Sequence, residues 1–177
     1  MRPEATVQDV NSAVMSNLDA AYRLARWHFR EEREAEDVVH AAAVRAFRAC
    51  ATVDTGTARA WFLRIVRGVC SERSAGSQTT LTEALDDQAG GVMATARPQA
   101  FTTDLLSIEQ AIRRLPPGLR EALVLRDIEG LSYQELAAVL GVSVATVTTC
   151  VSRSRQALHG VLTSQTGFAE EKLASCV

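Results

Sequence analysis

Few residues in this 177-residue chain stand at spacings that could do chemistry, and most of the groupings exclude a reaction. Glu36 and His40 lie four apart in a helical pattern, which puts both on one face, but no third donor joins them and a zinc site needs at least three. Cys50, Cys70, Cys150 and Cys176 include no CxxC pair, and three fall inside helical patterns, so they read as buried reduced thiols rather than a disulfide framework or zinc knuckle. There is no phosphate loop and no nucleophile motif. The chain is therefore expected to be no enzyme, with no cofactor, no metal and no small-molecule substrate. What remains is hydrogen-bonding and charge chemistry. In SVATVTTCVSRSRQAL, residues 143–158, the small polar Thr146, Thr148, Thr149 and Ser152 lead and Arg153 and Arg155 follow. Short hydroxyl side chains can approach base edges, and guanidinium groups suit phosphates.

Two helices must position that series. Ser132 followed by Glu135 is a capping box, in which each side chain satisfies a free backbone N–H at a helix start. Leu136, Val139 and Leu140 give one apolar face, and the corner Gly141-Val142-Ser143 supplies a left-handed helix stop and then a new cap. In the second helix Val147, Val151 and Leu158 point inward at spacings of four and seven. This layout fits a helix-turn-helix that enters a major groove with its second helix. An ordinary helical hairpin has the same signals, and the flanking sequence has to decide.

Upstream, three helical patterns are expected to close a small bundle. The first runs from about Asn11 to Arg30 on Val14, Leu18, Ala21, Ala25 and Phe29. A second runs from about Arg33 to Cys50 with Val39, Ala42, Ala43, Ala46, Phe47 and Cys50 on its face, and its early acids suit the helix dipole. The third runs from about Thr57 to Arg73 with Ala58, Trp61, Phe62, Ile65 and Val69 inward. From Ser74 to Asp104 the pattern stops, Gly, Ser, Thr and acids dominate, and a flexible acidic linker over 74–104 is expected. Beyond it Leu105, Ile108, Ile112 and Leu115, with Asp104 as a cap, predict a short helix; Pro116-Pro117-Gly118 ends it and starts another over Leu119 to Ile128. The reading is all-α, with two small helical domains at 8–73 and 105–162 and a tail at 163–177 whose Phe168 and Leu173 suit a short helix.

Net charge is −2, but ten arginines stand against seven acids between Tyr22 and Arg73, and Lys172 is the sole lysine, so any phosphate contacts fall to arginine. The opening MRPEATVQDVNSAV has no apolar run of signal-peptide length, and no stretch nears the roughly 20 apolar residues that span a bilayer. A cytoplasmic location without membrane insertion is expected.

REAEDVVHAAAVRAFRA, ARAWFLRIVRGVCSER and IEQAIRRLPPGLREALVLRDIEGLSYQELAAVLGVSVATVTTCVSRSRQAL, in that order, resemble a bacterial sigma factor of the sigma-70 group, extracytoplasmic-function type, holding regions 2 and 4. The resemblance covers roughly Leu18 to Leu158. It implies an alternative sigma factor, often a stress-response regulator, that binds core RNA polymerase and promoter DNA and is held by an anti-sigma factor. It places the polymerase contact at Glu36, Asp37, Val38, His40 and Arg45. The minus-10 strand falls to the stretch from Thr52 to Arg73, with Arg59, Trp61, Arg64 and Arg67 as candidates. Aromatics and arginines capture unpaired bases and phosphates well, although Trp61 also fits the apolar stripe. The minus-35 element falls to Thr146, Thr148, Thr149, Ser152, Arg153 and Arg155, with Arg126 or Arg120 near phosphates. Relatives usually carry basic residues where Thr148 and Cys150 stand, so the reading face is expected to lack two positive charges and to bind DNA weakly or with altered sequence preference. Region 2 departs too, with His40, Ala41 and Ala43 where relatives commonly have Gln, an acid and a bulky aromatic, and Gly68 where they have Asn. These departures support a rival, a sigma-shaped decoy that titrates an anti-sigma factor without driving transcription; a second rival is a simple helix-turn-helix repressor.

Overall fold

The computed structural model describes residues 7–49, 58–74 and 105–174. Among them all regular structure is helical: α1 (Val7–Met15), α2 (Leu18–His28), α3 (Glu32–Arg48), α4 (Ala58–Arg73), α5 (Leu105–Arg114), α6 (Pro117–Leu123), a π-helical turn (Val124–Ile128), α7 (Tyr133–Leu140) and α8 (Val144–Ala174). The chain divides into two compact units, Met1–Gln78 with Val124–Thr148, and Thr79–Leu123 with Thr149–Val177. Residues 124–148 thus pack with the first helices. Of the expected linker, 75–104, including the cap Asp104, lies outside the described residues, as do Cys50, the stretch from Thr52 to Thr57, and Cys176.

In the first unit α2, α3 and α4 pack on one another and α1 lies against α3 and α4. The inner side of α3 is Ala35, Val38, Ala42 and Ala46. Small side chains there let neighbouring backbones approach closely, and Leu24, Phe62, Leu63 and Val66 fill the space between. The expected single first helix is two. Asn17 breaks it: its side-chain amide donates to the Ala13 carbonyl at 2.7 Å, and its backbone N–H turns to Val14 at 3.1 Å. A local side chain thus takes the acceptor that the helix ladder would have used.

Two expected faces are also rotated. On α3 Phe47 is 43 % exposed and Val39 only half-buried, while Ala35 and Val38 are core. On α4 the buried stripe is Ala60, Phe62, Leu63, Val66, Val69 and Cys70, with Trp61 and Ile65 at its margin. The buried arc of α4 is wide because α7 also packs along it within the same unit.

The stretch expected as one helix over Leu119 to Ile128 is α6 from Pro117, then a π-helical turn in which the Glu129 N–H reaches back five residues to the Val124 carbonyl at 2.9 Å. Gly130 follows with φ +71°. In the second unit Ala111, Ile112, Leu115, Leu119, Ala122, Cys150 and Val151 are buried, and the Ser154 hydroxyl lies 2.7 Å from both the Leu119 and Cys150 carbonyls. Helix α8 does not end near Leu158 but runs on to Ala174, since neither Gly160 nor Gly167 stops it and no proline intervenes.

Candidate nucleic-acid interface

The corner between α7 and α8 is built as its residues dictate. Ser132 N–H donates to Glu135 Oε2 at 2.8 Å, and Glu135 N–H donates to Ser132 Oγ at 3.2 Å. The Ser132 hydroxyl, which donates to the same carboxylate oxygen at 2.7 Å, and then the Ser132 N–H hold the Glu135 carboxyl below its ordinary range. Gly141 closes α7 at φ 72°, ψ 29°, with its N–H on the Ala137 carbonyl at 2.9 Å. Ser143 then caps α8 by accepting from the Thr146 N–H at 3.1 Å. The two helices cross this corner at 99°, within the range of a DNA-reading helix-turn-helix. No single described helix is long and apolar enough to cross a membrane; this bent pair passes such a test only when taken together.

Along α8, Ala145, Thr148, Thr149, Ser152, Arg155, Gln156 and His159 are exposed at helical spacings of three and four, and Thr146 and Arg153 flank them half-buried. The Thr148 hydroxyl donates to the Val144 carbonyl at 2.9 Å, which leaves its oxygen as an acceptor. Ser143 Oγ and Thr146 Oγ1 share a 2.8 Å bond, so Thr146 also serves the cap. Gln156, absent from the sequence-based set, stands four residues beyond Ser152 on the same stripe; its spacing was the available signal, and a carboxamide can pair with an adenine edge.

Cys150 is the buried thiol expected of it, and that corrects the number of charges missing from the reading face. It is fully buried, and burial pushes its thiol upward, with Arg153 opposing. The reading face therefore lacks one positive charge, at Thr148, and not two. Arg126 donates to the Leu131 carbonyl at 2.5 Å and lies 4.5 Å over the Tyr133 ring, and Arg120 donates to the Leu115 carbonyl at 3.1 Å. Both hold their own turns rather than standing free for phosphates.

On α4 the four minus-10 candidates separate. Trp61, half-buried, and the exposed Arg64 lie about 60° apart on one side by helical geometry. Arg59 and Arg67, about 80° apart, lie toward α7. Arg59 Nη2 donates to the Glu129 carbonyl at 2.6 Å and to Glu129 Oε2 at 3.1 Å, and Arg67 Nη1 reaches the Leu140 carbonyl at 3.4 Å.

On α3 Glu36, Asp37 and His40 are exposed, and no described His, Cys, Asp or Glu completes a metal-binding group with them. Arg45 is exposed but paired through two 2.7 Å bonds with Glu72, which tie α3 to α4. Val38 is corrected: it is fully buried in the bundle and offers no surface to a partner. In its place the exposed side of α3 carries Val44 and Phe47, 38 % and 43 % exposed, at four and seven residues from His40.

Residues 13–78 match the family model for sigma-70 region 2, and residues 105–158 match that for sigma-70 region 4. SigM of Mycobacterium tuberculosis, an ECF RNA polymerase sigma factor, is 30 % identical over 142 residues, covering 80 % of this chain and 70 % of its own length. The chain belongs to the sigma-70 family, extracytoplasmic-function type. Another such factor, SigE of Mycolicibacterium smegmatis, is 32 % identical over 163 residues, which are 90 % of this chain and 63 % of that protein. Among solved structures, the sigma factor RpoE from Bartonella quintana, co-crystallised with the anti-sigma factor NepR, is 26 % identical with a TM-score of 0.64, covering 88 % of this chain and 98 % of that one. Within this sigma-70 frame the capping box, Gly141 corner and exposed α8 stripe belong to region 4, and the α3 and α4 surfaces belong to region 2.

Proposed function

We propose that this protein is an alternative sigma factor: it binds core RNA polymerase, directs it to promoters through minus-35 and minus-10 elements, and is controlled by an anti-sigma factor. It acts in the cytoplasm by binding and positioning, not as an enzyme. The observation that carries this reading is the α7–α8 corner, with its 99° crossing and its stripe of Thr148, Thr149, Ser152 and Arg155 facing outward, joined in one chain to a region-2 bundle. In this reading α8 lies in the minus-35 major groove. Thr146, Thr148, Thr149 and Ser152 read base edges, Arg153 and Arg155 meet phosphates, and Gln156 extends the reading face. Helix α4 holds the unpaired minus-10 strand through Trp61 and Arg64 and, once available, Arg59 and Arg67.

The polymerase meets the α3 face of Glu36, Asp37 and His40, with Arg45 at its border. Val44 and Phe47 give that face the desolvated apolar centre from which an interface draws most of its affinity. Capture of the structurally similar RpoE with an anti-sigma factor supports the same kind of control here. The decoy alternative drew on two absent charges on the reading face and on the region-2 departures; with Cys150 buried, one of those two charges no longer counts toward it.

Gel filtration of the full chain with core polymerase tests the proposal. Co-migration is expected, and Phe47→Asp should weaken it on the order of tenfold while leaving the helical signal intact, because Phe47 is exposed. A wild-type chain that elutes apart from the polymerase rejects the reading.

A further inference from the structure

Glu129 is the least expected residue in the first unit: an acid whose side chain is 0 % exposed, just beyond the π-helical turn. Two arginines from region 2 surround it. Arg23 Nε and Nη2 donate to Oε1 and Oε2 at 2.6 and 2.9 Å, and Arg59 Nη2 donates to Oε2 at 3.1 Å and to the backbone carbonyl at 2.6 Å. The carboxylate is thus fully paired, in the bidentate geometry that guanidinium groups also offer a phosphate. The arginines remain in reach of water, Arg23 at 51 % and Arg59 at 37 % exposure. A few residues on, α7 packs along α4 and the Leu140 carbonyl accepts from Arg67.

We infer that Arg23 and Arg59 form an anion site in which Glu129 stands in for a nucleic-acid phosphate, so that the carboxylate latches the 124–148 segment onto α4 until a strand displaces it. The role given to this latch rests on the reading of α4 as the strand-holding helix, and it adds Arg23 to the residues that meet DNA. Displacement is feasible because each side has a substitute. A phosphate offers the two guanidinium groups the same acceptor geometry, and Glu129 regains water when its segment moves away. In the latched state Arg59 and Arg67 are both engaged by the segment they would have to leave, so strand binding and latching exclude each other.

The test uses the full-length chain with a dye-labelled oligothymidylate about 15 nucleotides long, read by fluorescence anisotropy, and small-angle scattering on the same samples. Glu129→Gln, which keeps the shape and removes the charge, should raise the radius of gyration and tighten oligonucleotide binding on the order of tenfold, the scale of one charge-assisted contact released to the strand. Arg23→Gln should also raise the radius of gyration but should not tighten binding, since it removes half of the anion site. If Glu129→Gln loses its helical circular-dichroism signal, Arg23→Gln, made at a half-exposed side chain of α2, carries the scattering arm alone. Variants with wild-type helicity, wild-type radius of gyration and wild-type oligonucleotide affinity overturn the inference. Neither arm contains polymerase. A chain that opens as described yet never binds core enzyme rejects the sigma reading and keeps the latch, and a chain that binds core enzyme with both variants inert rejects only the latch.

Discussion

Thr148 and Cys150 stand two residues apart on α8 in opposite environments, and that difference sets what each position can tolerate. Thr148 is exposed, so Thr148→Arg adds a cation beside the groove at little cost to the fold. DNA affinity measured against salt should rise, and its slope should steepen by about 0.9 for the one added phosphate contact. Cys150→Arg buries an unpaired charge in the second unit, and thermal unfolding should show a loss of at least 3 kcal/mol or no cooperative transition. At the turn, Ser132→Ala should cost about 1 kcal/mol at pH 7 in denaturant unfolding, because the capping box is lost. Since the Glu135 carboxyl is lowered from 4.5 in the folded chain, its contribution is fully present above that value and fades as pH falls through the lowered one. The gap between wild type and Ser132→Ala should therefore narrow in melts carried out below about pH 4. The box, the Gly141 stop and the Ser143 cap were all legible in the sequence because each is fixed by residues three or four apart. Phe47 and Val38 were misplaced because a run of small residues such as Ala41-Ala42-Ala43 leaves a helix face undetermined by about 100°, one residue's turn.

At the scale of elements, α4 packs both on the other region-2 helices and on α7. Gly68 sits in its middle, and a Cβ there would meet nothing within 4 Å. Gly68→Ala should accordingly stabilise the chain by about 0.5–1 kcal/mol, seen as a higher midpoint in urea, whereas Phe62→Ala in the core should cost about 3–5 kcal/mol. The extent of α4 was readable from its apolar period. The break at Asn17 and the π-helical turn before Glu129 were not, since each depends on a hydrogen bond that periodicity does not encode: the Asn17 amide on Ala13, and the Glu129 N–H on Val124.

For the whole molecule, the all-α class and the region-2 and region-4 order were visible in the sequence, because LPPGLREALVLRDIEGLSYQELAAVLGVS and the Arg-rich α4 are distinctive as strings. The assignment of Val124–Thr148 to the first unit was not visible. It goes with the packing of α7 along α4 and with Arg23 and Arg59 meeting Glu129, more than a hundred residues away from Arg23 and about seventy from Arg59, and no local pattern announces a partner at that separation. The central claim is that the chain selects promoters for core RNA polymerase, and run-off transcription on a genomic fragment library measures this directly. Adding the purified chain to core enzyme should yield new transcripts whose start sites share one pair of upstream elements, with the minus-35 member altered by Thr149→Ala. Transcripts no different in number or position from those of core enzyme alone would contradict the account.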